Sequence, residues 1–160
     1  MERGFTLIEL IIVVVIVSVL VTVALPQYKR AAERGRFTAG EAAVRTAVDK
    51  INAWYIVHDF EYPTISEFNN MDLGSELAGV QNRSGSKVNT FFTAPQYNPR
   101  CSGDGSGCVL IRRSTTSGWN YTFSALFKDG KTLEIKCAGV GSGDDCEKLG
   151  WPGNQNFFNN

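Results

Sequence analysis

Gly4-Phe5-Thr6-Leu7-Ile8-Glu9-Leu10 opens an apolar run that continues to Leu25. Glu9 is the only charged residue between Phe5 and Leu25. At about 1.5 Å per residue, a helix over that interval is about 31 Å long, enough to cross a hydrocarbon core of about 30 Å. Val and Ile dominate the run. They are middling helix formers in water, but lipid obliges a backbone to satisfy its own hydrogen bonds. A secretory signal peptide would have a shorter apolar region, of about 7 to 15 residues, leading to a small-residue site. Val23-Ala24-Leu25-Pro26 matches such a site poorly. Ionisable residues inside spans usually mark function. Glu9 lies about one turn in, so its cost falls below the roughly 3 kcal/mol of a charge at mid-membrane.

These residues closely resemble the N-terminal signature of type IV prepilins, a short leader ending in Gly and followed by Phe-Thr-Leu-Ile-Glu. The resemblance extends through about Arg30. It implies that a prepilin peptidase cuts between Gly4 and Phe5, removing residues 1–4, and methylates the new amine of Phe5. The apolar helix would stay in the product. Glu9 stands four residues from that amine, one helical turn along the same face. Within one chain the two groups can partly neutralise each other; by resemblance, Glu9 pairs instead with the N-terminal amine of a neighbouring subunit in a helical homopolymer. An unpaired charge buried among apolar side chains is costly, whereas a paired one sets axial register. The resemblance also implies the partners: copies of the chain itself, the peptidase, and an assembly platform with its motor. The precursor would sit in the inner membrane and the product in an extracellular filament.

Charge around the run argues the other way. Arg3 is the only side-chain cation before it and Glu2 offsets it, while Lys29, Arg30, Arg34 and Arg36 follow. The positive-inside rule alone would put the C-terminal side in the cytoplasm. The cysteines and the motif point outward, and that orientation is adopted.

Pro26 lacks an N–H, so the carbonyl of Thr22 loses its helical partner. A kink or a locally melted segment is expected near residues 22–26, where Ser18 and Thr22 carry hydroxyls able to bond to backbone. A Pro at this distance is also typical of type IV pilins. From Gln27 to Val57 the pattern is that of an amphipathic helix, with Val44, Ala47, Val48, Ile51, Trp54 and Tyr55 at helical spacing. Glu41 and Arg45 form an i,i+4 pair. Gly35 and Gly40 weaken the middle by about 1 kcal/mol each relative to Ala, and permit bending or close contact. Trp54 and Tyr55 read as core rather than ligand site. His58 is the only histidine; it lacks the partners of a triad or zinc site and is placed near the helix end, where a cation is favoured.

Thr64-Ile65-Ser66-Glu67 fits a capping box and predicts a short helix. Residues 81–107, rich in Gly, Ser, Asn and Pro, predict a long connection with a short strand at Val88–Thr93. Val109-Leu110-Ile111 begins the sheet. Trp119, Tyr121, Phe123, Ala125 and Phe127 alternate with mostly polar residues, as do Leu133, Ile135 and Cys137. Asp129-Gly130 suggests a two-residue turn. A regular ladder from that turn would set Phe123 opposite Lys136. A three-residue loop, Lys128 to Gly130, instead pairs Ala125 with Leu133 and Phe123 with Ile135, and is the expectation here.

The four cysteines allow three pairings. Proximity favours Cys101–Cys108 and Cys137–Cys146, small loops contributing about 2.5 kcal/mol each; cross-paired or free thiols stay open. The second bridge resembles the C-terminal disulfide loop of many pilins, and the first departs from their usual pattern. Gly139 to Glu147 holds Ser142, Asp144, Asp145 and Glu147, but the spacing does not fit an EF-hand. A solvated disulfide loop is expected there, with no metal or other cofactor. Phe157 and Phe158 would pack on the sheet or a neighbour.

Sixteen cations balance sixteen anions, so nothing points to nucleic acid. No phosphate loop or paired-carboxylate context occurs, and no enzyme activity is expected. The fold class expected is α+β. A long helix, residues 5–25 in membrane or filament core and 26–58 amphipathic, packs through its second half on an antiparallel sheet in a head of residues 59–160. The functional expectation is a type IV pilus subunit. Alternatives are a minor pilin, a type II secretion pseudopilin, or a membrane-tethered adhesin or DNA-uptake module. Motility, adhesion, secretion and DNA uptake are not distinguished by the residues.

Overall fold

The structure is a computed structural model that describes residues 6–72, 92, 95–101, 104–113, 118–139 and 143–152. Helix α1 (Leu7–Val57) contains Pro26. The chain divides into two compact units, Met1–Gly35 and Arg36–Asn160.

In the first unit, α1 is helical across Pro26. The melted segment expected at residues 22–26 is absent. Proline removes one donor, and the helix keeps its bonds on either side. Hydroxyls bond locally as well, Ser18 Oγ donating to the Val14 carbonyl at 2.6 Å and Thr22 Oγ1 to the Val19 carbonyl at 2.7 Å. Every side chain from Leu7 to Leu25 is exposed. The best window of α1 has a mean hydropathy of 3.1 and is 0% buried. Its length and composition suffice to cross a membrane.

The second unit is α+β. One face of α1 carries Phe37, Ala43, Val44, Ala47, Val48 and Ile51, all buried. They share a core with Tyr121, Phe123, Ala125 and Phe127 of the sheet. Burying a Val or Ile completely contributes about 1.5–3 kcal/mol, so Val44, Val48 and Ile51 hold the helix to the sheet. Phe37 packs on Tyr121 and Phe123, at 5.2 and 4.7 Å between ring centroids. Gly40 lets the backbone come close. A Cβ there would lie 2.7 Å from Phe92 Cζ and 2.9 Å from Phe123 Cε2. Trp54 and Tyr55, expected in the core, are only half-buried and lie outside its cluster.

The sheet is antiparallel, in the order β1 (Gln96–Asn98), β2 (Gly107–Arg112), β3 (Tyr121–Lys128), β4 (Lys131–Gly139). β1 lies within the stretch expected to be a connection. It has only three residues, too few for alternation to register. Of the strand expected at Val88–Thr93, all but Phe92 lies outside the described residues, and Phe92 bridges to Arg113. Phe157 and Phe158 also lie outside them.

The β3–β4 hairpin corrects the expected register. Its loop has two residues, Asp129 and Gly130, with Lys128 paired to Lys131. Both loop residues have positive φ, 51° and 70°, as a type I′ turn requires. A bulge beside Leu126/Phe127 absorbs Leu133, so Ala125 faces Ile135 and Phe123 faces Cys137. One extra residue on β4 restores the apolar alignment that a regular two-residue hairpin would lose. Leu133, assumed to face the core, is 54% exposed.

α2 (Ile65–Asn70) starts at a complete Thr64–Glu67 capping box. Its Phe68 stacks on Tyr97 of β1 at 4.5 Å. α3 (Asp145–Lys148) lies beside β4.

Candidate functional site

The sequence concentrates function at the start of α1, and the structure adds a contact there. Glu9 Oε2 accepts hydrogen bonds from the Thr6 backbone N–H at 2.9 Å and from the Thr6 hydroxyl at 2.7 Å. The Glu9 N–H is 3.4 Å from Thr6 Oγ1. This is the reciprocal pattern of a capping box, with Thr6 at the cap and Glu9 three residues in. It satisfies helix-end donors that would otherwise be stranded in an apolar medium. It also puts a carboxylate at the positive end of the helix dipole. The Thr-x-x-Glu spacing of residues 6–9 is the same as that of residues 64–67, so the signal was present in the sequence.

Glu9 therefore has a partner within its own chain. Its two hydrogen bonds converge on one carboxylate oxygen, Oε2, and a carboxylate offers about four acceptor positions in all. The same group can hold its own helix end and still accept from a further donor. Gly4 and Phe5, between which cleavage is expected, lie outside the described residues. Pro26 sits within the continuous α1.

The remaining site residues lie in the second unit. Cys101 is bonded to Cys108, with Cα atoms 5.7 Å apart, and Cys137 to Cys146 at 6.0 Å. The second bridge ties α3 to the end of β4. Asp145 Oδ2 accepts from the Asn120 N–H at 2.8 Å. Asp144 pairs with Lys148, whose hydrogen bond holds the carboxyl below its ordinary pKa. These acidic groups are occupied inside the fold. Among the described residues, no group of three or more His, Cys, Asp or Glu side chains could hold a metal.

His58 follows the last residue of α1 and stacks on Trp54, centroids 3.7 Å apart and rings 3° from parallel. Its Nδ1 is 3.0 Å from the Trp54 carbonyl. That position gives it a structural part at the helix end.

Residues 1–25 match the family model described as the prokaryotic N-terminal methylation motif. This is the processing signal of type IV pilins. The motif implies processing by a prepilin peptidase, and with the apolar helix it fits a membrane-anchored precursor. Motif and fold together suit a structural protein of the pilin or pseudopilin kind. No solved structure matches the chain.

Proposed function

We propose that the chain is a structural subunit of a type IV pilus. The observation that carries this reading is Glu9, the lone charge of an apolar helix that begins inside a methylation motif. Cleavage after Gly4 frees a cationic amine on Phe5 and leaves residues 5–25 to change surroundings, from lipid to a bundle of identical helices. Lipid is already apolar, so this transfer gains little from the hydrophobic effect. Close packing and the attraction between Glu9 and a neighbour's amine then supply the specificity.

Residues 26–58 continue the helix toward the head of residues 59–160, and Pro26 is the position at which the helix can bend. The assembled product is an extracellular filament, built by a platform and motor from a pool in the inner membrane. The decisive experiment is N-terminal mass spectrometry on filaments sheared from cells. The expected product begins at a methylated Phe5. A product beginning at Met1, or absence of the chain from the sheared fraction, would overturn the reading.

A further inference from the structure

A cleft of about 770 Å³ opens beyond the C-terminal end of α1, lined in part by Tyr55, Phe60, Glu61, Tyr62 and Arg100. Small-molecule sites span about 300–1,000 Å³ and combine apolar walls with a few polar groups. The function proposed above does not use this cleft.

Its aromatic wall is held in place. Phe60 meets Tyr55 edge-on at 5.5 Å, and Tyr55 lies 4.5 Å from Tyr62. Phe60 is nevertheless 69% exposed, so core packing does not account for it. Asp59 and Phe60 both adopt left-handed backbone conformations, with φ of 50° and 64°. Such conformations are unfavourable for residues with side chains and cluster at functional sites. The turn is pinned by Phe60 N–H to the Tyr55 carbonyl and Glu61 N–H to the His58 carbonyl, each at 2.9 Å.

Other lining residues are held by contacts of their own. The Tyr62 hydroxyl accepts from the Gly130 N–H at 3.3 Å, and the Tyr97 hydroxyl donates to the Pro63 carbonyl at 2.7 Å. Arg100 donates its N–H to Asn98 Oδ1 at 3.0 Å and directly precedes the Cys101–Cys108 bridge. Among the described residues, neither the Glu61 carboxylate nor the Arg100 guanidinium has a hydrogen bond or ion pair. The cleft therefore presents a fan of donors and a strong acceptor beside one exposed aromatic ring, Phe60, and the half-buried rings of Tyr55 and Tyr62.

We infer that this cleft binds a neutral hydroxylated ring, a pyranoside. The apolar C–H face of such a ring stacks on an aromatic side chain. Neighbouring hydroxyls each donate and accept, so one can donate to Glu61 while another accepts from Arg100. Glu61 and Arg100 give the lining one charge of each sign, so it carries no net charge that would select a polyanion or a polycation over a neutral ligand. Rigid walls reduce the ordering that binding requires.

Saturation-transfer NMR on the full chain, in a zwitterionic detergent free of sugar headgroups, tests this. The probes are the methyl pyranosides of glucose, galactose, mannose and N-acetylglucosamine, with a proline-rich decapeptide as the peptide control. At least one pyranoside should receive saturation, chiefly on ring C–H protons, with a Kd on the order of 1 mM. Phe60→Ala and Arg100→Gln should each weaken that binding about tenfold, as expected for one lost contact. Both side chains are solvent-accessible, so thermal unfolding should stay unchanged and report an intact fold. No transfer to any pyranoside, transfer that survives both substitutions, or binding of the decapeptide in the sugar's place would overturn the inference.

Discussion

Glu9 Oε2 accepts two hydrogen bonds from Thr6, one from the backbone and one from the side chain. The carboxylate proposed to recruit a neighbouring subunit thus also terminates its own helix. The two parts can be separated by substitution. Glu9→Gln keeps an acceptor for Thr6 but loses the charge. Thr6→Ala keeps the charge but loses the hydroxyl. If charge pairing drives assembly, filament yield in sheared fractions should collapse in Glu9→Gln and Glu9→Ala alike, with the second unit still folded and its disulfides intact. Thr6→Ala should retain filaments. Normal yield from Glu9→Gln would sink the charge-pairing mechanism while leaving the capping contact standing.

Two helical glycines should respond with opposite sign. Gly40 has Phe92 and Phe123 within 3 Å of the place a Cβ would occupy, whereas Gly35 has nothing within 4 Å. Gly40→Ala should lower stability by about 1–3 kcal/mol, the usual range for overpacking a core. Gly35→Ala should raise it by up to about 1 kcal/mol through helix propensity. Chemical denaturation of both variants measures the pair, and equal shifts would contradict the packing assigned to Gly40.

The bulge at Leu133 makes a deletion predictable. Removing Leu133 leaves a regular two-residue hairpin in which Ala125 still faces Ile135 and Phe123 still faces Cys137. Removing Lys136 must instead turn either Ile135 or Cys137 away from the core face, because side chains alternate along a strand. The first deletion should yield folded protein with both disulfides formed. The second should unfold the hairpin or leave free thiols, and thiol titration under denaturing conditions distinguishes them.

Acid should loosen the two short helices. Hydrogen bonds from the Thr64 backbone and hydroxyl hold the Glu67 carboxyl below its ordinary pKa, and the hydrogen bond from Lys148 does the same for Asp144. A carboxyl depressed in the folded state adds stability above its unfolded pKa, about 4.3 for Glu and 3.9 for Asp, and loses it as pH falls through the folded value. Stability should therefore decline as pH drops below about 4. In Glu67→Gln, which keeps an acceptor but cannot titrate, the decline should be shallower. Parallel pH profiles for the two proteins would show that the Thr64–Glu67 contact does not contribute in this way.

Legibility followed the range of each interaction. The membrane-length run, the motif around Gly4 and Phe5, the Thr64–Glu67 cap and the Val44–Ile51 helix face are local patterns, complete within one or two turns of chain. The Thr6–Glu9 cap is equally local. Its Thr-x-x-Glu spacing lies within the same motif that carries Glu9.

What only the tertiary structure decided was everything that depends on two distant segments meeting. The three-residue β1 exists because β2 offers it a ladder. The hairpin alternation was visible, but a loop of three residues and a two-residue turn with a bulge both satisfy it. The core selected the second by taking Ile135 and Cys137 and leaving Leu133 in solvent. The cleft gathers Tyr55, Phe60, Tyr62 and Arg100 from either side of a long connection. A helix end or an apolar period is set by neighbours along the chain. Register and concavity are set by which surfaces are buried together, and that is a property of the folded whole.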